Sequence, residues 1–127
     1  MLILSMRLPL LFVALLTACA ARHTERGEAS WYGNELRGRP TASGEPFRPS
    51  KRTCAHKTLP LGTVLKVKSL DTGKTVRVTV NDRGPYAKGR ILDLSRKAAK
   101  RIGIHDQGHG PVEIKVVGCK ERYGGCR

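Results

Sequence analysis

Acids, aromatics, cysteines and long apolar runs are all scarce in this sequence. The one strongly apolar stretch, Leu8 to Leu16, falls far short of the roughly 20 residues a membrane-spanning helix needs, so no such helix is expected. No long internal repeat, low-complexity tract or CxxC pair is present, which argues against a repeat array, a disordered chain and a cysteine-built metal site. No metal and no cofactor are expected. What is there is a chain of 127 residues, 39% hydrophobic and 27% charged, enough for one packed domain and too short for several.

The first residues read as an export signal. Met1 to Arg7 is weakly basic, Leu8 to Leu16 is apolar, and small residues follow. The sequence Leu16-Thr17-Ala18-Cys19 resembles the lipobox of bacterial lipoproteins, in which the cysteine becomes the acylated first residue. Residues 1–18 are therefore expected to be removed and Cys19 to carry lipid, anchoring the protein to a membrane. Ala20, where retention at the inner membrane would call for Asp, favours the periplasmic face of the outer membrane in a Gram-negative cell.

Charge of one sign dominates: 24 Lys and Arg stand against 10 Asp and Glu, a formal net charge of +14. Only Arg7 among the charged residues precedes Cys19, so the exported form stays strongly basic. Such a balance commonly points to nucleic acid, but an exported domain meets little of it. Cell-wall polymer and acidic lipid head groups are the expected anionic partners.

With Cys19 assigned to lipid, three of the 4 cysteines remain. Cys119 and Cys126 bracket the polar segment Lys120 to Gly125 and are expected to close a local disulfide after export. Cys54 is then free, and a nucleophilic pairing with His56 is set aside.

Ala20 to Glu28 reads as a short polar tether. Ala29 to Tyr32 can start a strand, and Gly33 to Pro49, crowded with Gly and Pro, reads as a long functional loop. Thr63 to Leu70 and Thr75 to Asn81 alternate apolar with polar residues on either side of Asp71-Thr72-Gly73, a hairpin signature. Arg90 to Leu94 is a short apolar strand. Ser95 can cap a helix whose Ala98, Ala99 and Ile102 recur at helical spacing before Gly103 stops it. Gly110 to Val117 is a last alternating strand. Short strands, Gly/Pro-rich connections and one short helix predict a small, mainly β barrel.

Basic exported proteins that process wall glycan need carboxyl groups to protonate a leaving oxygen and to stabilise an oxocarbenium-like centre. Asp82 ends a strand directly before Arg83-Gly84-Pro85-Tyr86, where a side chain is presented at a rim. Glu45 lies in the Gly/Pro loop, and His56 sits in Cys54-Ala55-His56-Lys57. An acid working near neutral pH needs its pKa raised from about 3.9, and Arg83 beside Asp82 would oppose that.

Five ordered segments carry a resemblance. Ala29 to Gly33 (ASWYG), Gly38 to Glu45 (GRPTASGE), Ala55 to Thr63 (AHKTLPLGT), Asn81 to Tyr86 (NDRGPY) and Gly89 to Ser95 (GRILDLS) closely resemble the RlpA (rare lipoprotein A) family. The resemblance implies a six-stranded double-psi β-barrel, the fold shared with expansins, over residues 29–118. Around it lie the signal peptide 1–18, the lipidated Cys and tether 19–28, and a Cys-containing tail 119–127. It also implies peptidoglycan lytic transglycosylation: cleavage between N-acetylmuramic acid (MurNAc) and N-acetylglucosamine (GlcNAc), leaving 1,6-anhydromuramyl ends, with a preference for strands stripped of stem peptides. The family's site positions fall on Glu45, His56 and Asp82. Three departures stand out: Cys54 beside the site, the tail cysteines, and the lack of the septum-targeting SPOR domain that many members carry.

On this reading Asp82 protonates the leaving oxygen and then takes the proton of the attacking C6 hydroxyl, Glu45 stabilises positive charge, and His56 bonds a carboxyl or the substrate. The roles of Asp82 and Glu45 can be exchanged. Trp31, Tyr32 and Tyr86 are the sugar-platform candidates, Arg83 is a candidate contact for glycan carboxylates, and Arg90 is expected to brace its loop. The competing reading is an expansin-like lipoprotein that binds the wall without turnover.

Overall fold

The computed structural model describes residues 23–126. The predicted leader 1–18 and the lipidation site Cys19 lie outside the described residues. Six strands close a barrel: β1 (Thr24–Trp31), β2 (Thr53–Ala55), β3 (Thr63–Ser69), β4 (Thr75–Asp82), β5 (Arg90–Leu94) and β6 (His109–Cys119), with one α-helix, α1 (Arg96–Ile102), between β5 and β6. Around the barrel the order is β1-β5-β2-β4-β3-β6, and β6 returns to β1. The β1–β5 and β2–β4 pairs are parallel and the others antiparallel. Among the described residues no helix is long and apolar enough to cross a membrane.

Sequence pattern explains the regular half. In β3, Leu65 and Val67 point inward and Lys66 and Lys68 outward, as period-2 alternation requires. Val64 to Lys68 pairs with Thr79 to Thr75. The connecting turn is closed by Gly73 in the left-handed region (φ 74°) and by the Thr72 amide donating to Ser69 Oγ. Alternation stops in the second half of β4, where Thr79, Val80 and Asn81 are all buried and the Gly/Pro loop docks, the Ser43 amide donating to the Asn81 carbonyl. Ser95 caps α1 by accepting from the Ala98 amide, Gly103 (φ 83°) ends it, and Ala98, Ala99 and Ile102 seal one end of the core. That core is aliphatic, centred on Leu65, Val67, Val80, Leu92, Leu94 and Ile114.

Two boundaries differ from the sequence expectation. Strand β1 starts at Thr24, inside the segment read as a tether over 19–28, because Thr24 to Ser30 pairs antiparallel with Lys115 to His109. The polar run Thr24 to Glu28 has no apolar alternation to announce a strand. Its order comes from that ladder and from cross-strand pairs such as Arg26 with Glu113 at 2.8 Å. Gly27 is required there, since a Cβ would lie 2.6 Å from Ile91. At the other end β6 runs through Cys119, and the tail folds back onto the barrel, with the Lys120 amide donating to the Gly62 carbonyl at 2.8 Å. The expected Cys119–Cys126 disulfide is present and Cys54 is free and buried. The sequence also did not announce β2, whose three residues are too few for a periodic signal.

Candidate active site

Asp82 is the last residue of β4 and is half-buried. Its Oδ1 accepts from the backbone amides of Ala42 and Arg83, each at 2.9 Å, and its Oδ2 accepts from the Tyr32 hydroxyl at 3.0 Å. The Thr41–Glu45 turn docks on the same strand end, with the Ser43 amide donating to the Asn81 carbonyl at 3.0 Å. Thr41 clamps the turn through its hydroxyl and amide, both donating to the Glu45 carbonyl. This docking brings Glu45 to the side of the barrel where Asp82 emerges.

Glu45 is half-buried, and Ser43 Oγ donates to its Oε1 at 3.3 Å. Burial pushes its pKa up, but hydrogen bonding from Tyr123, Asn81 and Ser43 and the positive charge of Arg122 outweigh this and hold the carboxyl below the ordinary glutamate value. Glu45 is therefore a carboxylate at neutral pH.

His56 joins the site through its backbone, its amide donating to the Asp82 carbonyl at 3.2 Å. Its buried ring turns elsewhere. Nδ1 accepts from the amides of Thr58 and Leu59, both at 3.1 Å, so the ring proton sits on Nε2 and is donated to Glu25 Oε2 at 3.0 Å. Glu25 also meets His23 at 3.0 Å. Burial raises the Glu25 pKa, and the bonds and charges of His23 and His56 outweigh it, leaving the carboxyl below its ordinary value. The donor atoms of His23, Glu25 and His56 lie within 4.8 Å of one another. That set does not fit a cation: ligation through His56 Nε2 would move the ring proton to Nδ1, against two amide N–H groups.

Several expected contacts take other forms. The Arg83 guanidinium does not reach Asp82; its Nη1 donates to the carbonyls of His56 and Leu59 at 3.2 and 2.7 Å, so it braces the loop after β2 and leaves only its amide on Asp82. Trp31 is half-buried, stacked on His105 with centroids 4.4 Å apart, and its indole N–H donates to the His105 carbonyl. Tyr32 packs edge-on against buried Phe47 and spends its hydroxyl on Asp82. Burial, then the Asp82 charge, pushes the Tyr32 pKa up, so it stays a phenol. Tyr86, 80% exposed, is the platform candidate with a free ring face. Arg90 braces β1 against β5 through Ser30, which also bonds Asp93. Cys54 is buried, and that burial pushes its thiol pKa up and disfavours the thiolate.

Two adjoining cavities meet at Glu45, Arg122 and Tyr123. The smaller, about 220 Å³, is lined by those three with Ala42, Ser43 and Leu61. The larger, about 690 Å³, runs past Asn81, Thr79 and Thr53 and carries Arg48, Lys51, Arg52, Lys97, Lys120 and Arg122 against the single acid Glu45. Asp82 adjoins the smaller cavity through Ala42. Asn81, Arg122 and Tyr123 are cavity-wall residues that sequence reasoning missed, as is Glu25, the partner of the His56 ring. Asn81 was detectable as the neighbour of Asp82, and Tyr123 as one of few aromatics inside a predicted disulfide loop.

The lytic transglycolase family model matches residues 24–114. Among relatives, the probable endolytic peptidoglycan transglycosylase RlpA of Synechocystis is 48% identical over 100 residues, covering 79% of this chain and 31% of that protein. The probable RlpA of Aquifex aeolicus is 52% identical over 94 residues, covering 74% of this chain and 42% of that protein. The chain thus spans well under half the length of these relatives. Among solved structures, an expansin of Clavibacter michiganensis superposes with a TM-score of 0.61 at 27% identity, over 76% of this chain and 51% of that one. A Streptomyces papain inhibitor shares the fold, with a TM-score of 0.59 at 24% identity over 75% of this chain and 96% of that one. With a closed six-stranded barrel, a family model matching residues 24–114 and RlpA relatives 48% and 52% identical, the chain belongs to the RlpA-type lytic transglycolase family.

Proposed function

We propose that this barrel is a peptidoglycan lytic transglycosylase, cleaving the β-1,4 bond between MurNAc and GlcNAc and leaving 1,6-anhydroMurNAc ends. The observation that carries the reading is the docking of the Thr41–Glu45 turn on the end of β4, which brings Glu45, on the cavity wall, to the strand end that presents Asp82. Tyr32 is the partner of Asp82, and a hydroxyl can donate to a carboxylate or accept from a carboxylic acid. Asp82 can therefore hold a proton, give it to the leaving oxygen, and then take the proton of the C6 hydroxyl as that oxygen attacks the anomeric carbon. Glu45 faces hydrogen-bond partners and a cation that favour its anion, which suits it to stabilise the oxocarbenium-like centre. His56 and Arg83 act as positioning residues that hold the chain beside Asp82.

The six cations of the larger cavity support a preference for strands without stem peptides, since each such MurNAc exposes a lactyl carboxylate. The lipobox at Leu16 to Cys19 supports an exported lipoprotein on the periplasmic face of the outer membrane. Incorporation of a palmitate probe in wild type and its loss in Cys19→Ser tests that placement.

Mass spectrometry after incubation with whole peptidoglycan and with peptide-stripped glycan tests the chemistry. Anhydromuramyl ends made by wild type and lost in Asp82→Asn and Glu45→Gln support it; reducing ends would mean a hydrolase. The likeness to an expansin keeps a second reading, a wall-binding module without turnover. Retained pelleting with the wall and no product would select it.

A further inference from the structure

We infer that the disulfide-closed tail, residues 119–126, is a working wall of the site, in which Tyr123, backed by Arg122, is a positioning residue for the Glu45 carboxylate. The inference rests on the reading of Glu45 as the anionic partner, and it concerns residues beyond the 24–114 span that the family shares.

Three independent features place the tail there. Cys119 ends β6 and is bonded to Cys126, so the intervening loop is closed against the barrel. The loop is seated on Pro60 to Gly62: the Lys120 amide donates to the Gly62 carbonyl at 2.8 Å, and Gly125 packs on the Leu61 carbonyl. Gly62 (φ 97°) is the residue that admits it, since a Cβ would sit 2.7 Å from the Lys120 carbonyl oxygen and 2.9 Å from Tyr123 Cβ.

The seated loop delivers two side chains. Arg122 Nη2 donates to the Tyr123 hydroxyl oxygen at 3.0 Å, and its guanidinium carbon lies 4.9 Å from the Tyr123 ring centroid. Tyr123 and Arg122 share the wall of both cavities with Glu45, and hydrogen bonding from the Tyr123 hydroxyl together with the Arg122 charge favours the Glu45 carboxylate. Both residues line both cavities, so they form the partition between the basic cleft and the pocket beside Asp82. The tail thereby completes the surroundings of one catalytic acid without touching the other.

The test is a carbon-13 NMR titration of the Glu45 carboxyl in the full chain, in oxidised wild type, in wild type treated with a dithiol reductant, and in Tyr123→Phe and Arg122→Gln. The disulfide is the only one among the described residues, so reduction acts on the tail. Tyr123→Phe keeps the ring packing on Gly62 and removes only the hydroxyl. The expected result is a Glu45 pKa that rises towards the ordinary glutamate value in both variants and on reduction. The acidic limb of the kcat/KM profile moves to higher pH with it, and Tyr123→Phe loses about tenfold in kcat/KM, the range of one hydrogen bond to a charged group. A Glu45 titration unchanged in Tyr123→Phe and Arg122→Gln overturns the inference, whatever reduction does to the barrel. The titration needs no turnover: a shifted Glu45 with no anhydromuramyl product from wild type leaves the tail assignment standing and removes the transglycosylase reading.

Discussion

Asp82 and Glu45 are the same functional group in two different settings, and the contrast supports the different roles proposed for them. Asp82 emerges from the end of a strand and is held by two backbone amides and a phenol, a set that pins its position while leaving one partner able to reverse its hydrogen bond. Glu45 sits on a turn and meets Ser43 and Asn81 together with Tyr123 and the Arg122 guanidinium from a tail outside the shared family span, a set that favours its charged form. A proton shuttle needs the first kind of setting, and a fixed countercharge needs the second.

The comparison is broken most severely at Asp82. Asp82→Asn keeps the amide and phenol contacts but cannot exchange a proton, and product formation should fall by about 10³-fold or more, read as anhydromuramyl ends per unit time. Glu45→Gln removes only the charge, and a loss of about 10²-fold is expected, with wall binding in a pelleting assay retained. Tyr32→Phe deletes the reversible partner of Asp82, and kcat should drop about tenfold with KM little changed.

Two smaller effects sharpen the contrast. Charge removal in the basic cleft, as in Lys51→Gln with Arg52→Gln, should weaken binding of peptide-stripped glycan about threefold while leaving kcat intact; the difference should vanish in high salt. Glu45 also links to stability: because its folded pKa is lowered, its contribution is present above the ordinary glutamate value and is lost as pH falls through the folded one. Acid unfolding should therefore begin at higher pH in Tyr123→Phe than in wild type, whereas a variant on the far side of the barrel, such as Lys68→Gln, should leave the onset unmoved.

The fold was legible wherever local rules govern. Alternation along Thr63–Ser69 and the first half of Thr75–Asp82, the Asp71-Thr72-Gly73 turn, the Ser95 cap and the Gly103 stop all depend on neighbours within a few residues, and each is present in the structure. Legibility failed where a strand is polar and made by its partners. Thr24 to Glu28 has tether-like composition and becomes β1 because β6 lies beside it, and three-residue β2 is defined by β4 and β5 on its flanks.

For the site, the sequence by itself determined which acids exist, their order along the chain, and that cysteines bracket the tail. Only the tertiary structure decided what each acid meets. Barrel closure brings Ala42 and Tyr32, 40 and 50 residues away, onto Asp82, turns the His56 ring to Glu25 across 31 residues, and seats the tail on Gly62 so that Tyr123 shares a cavity wall with Glu45. The physical reason is that hydrogen-bond partners and local dielectric set a carboxyl group's protonation, and here they come from strands and loops that are neighbours in space and distant in sequence.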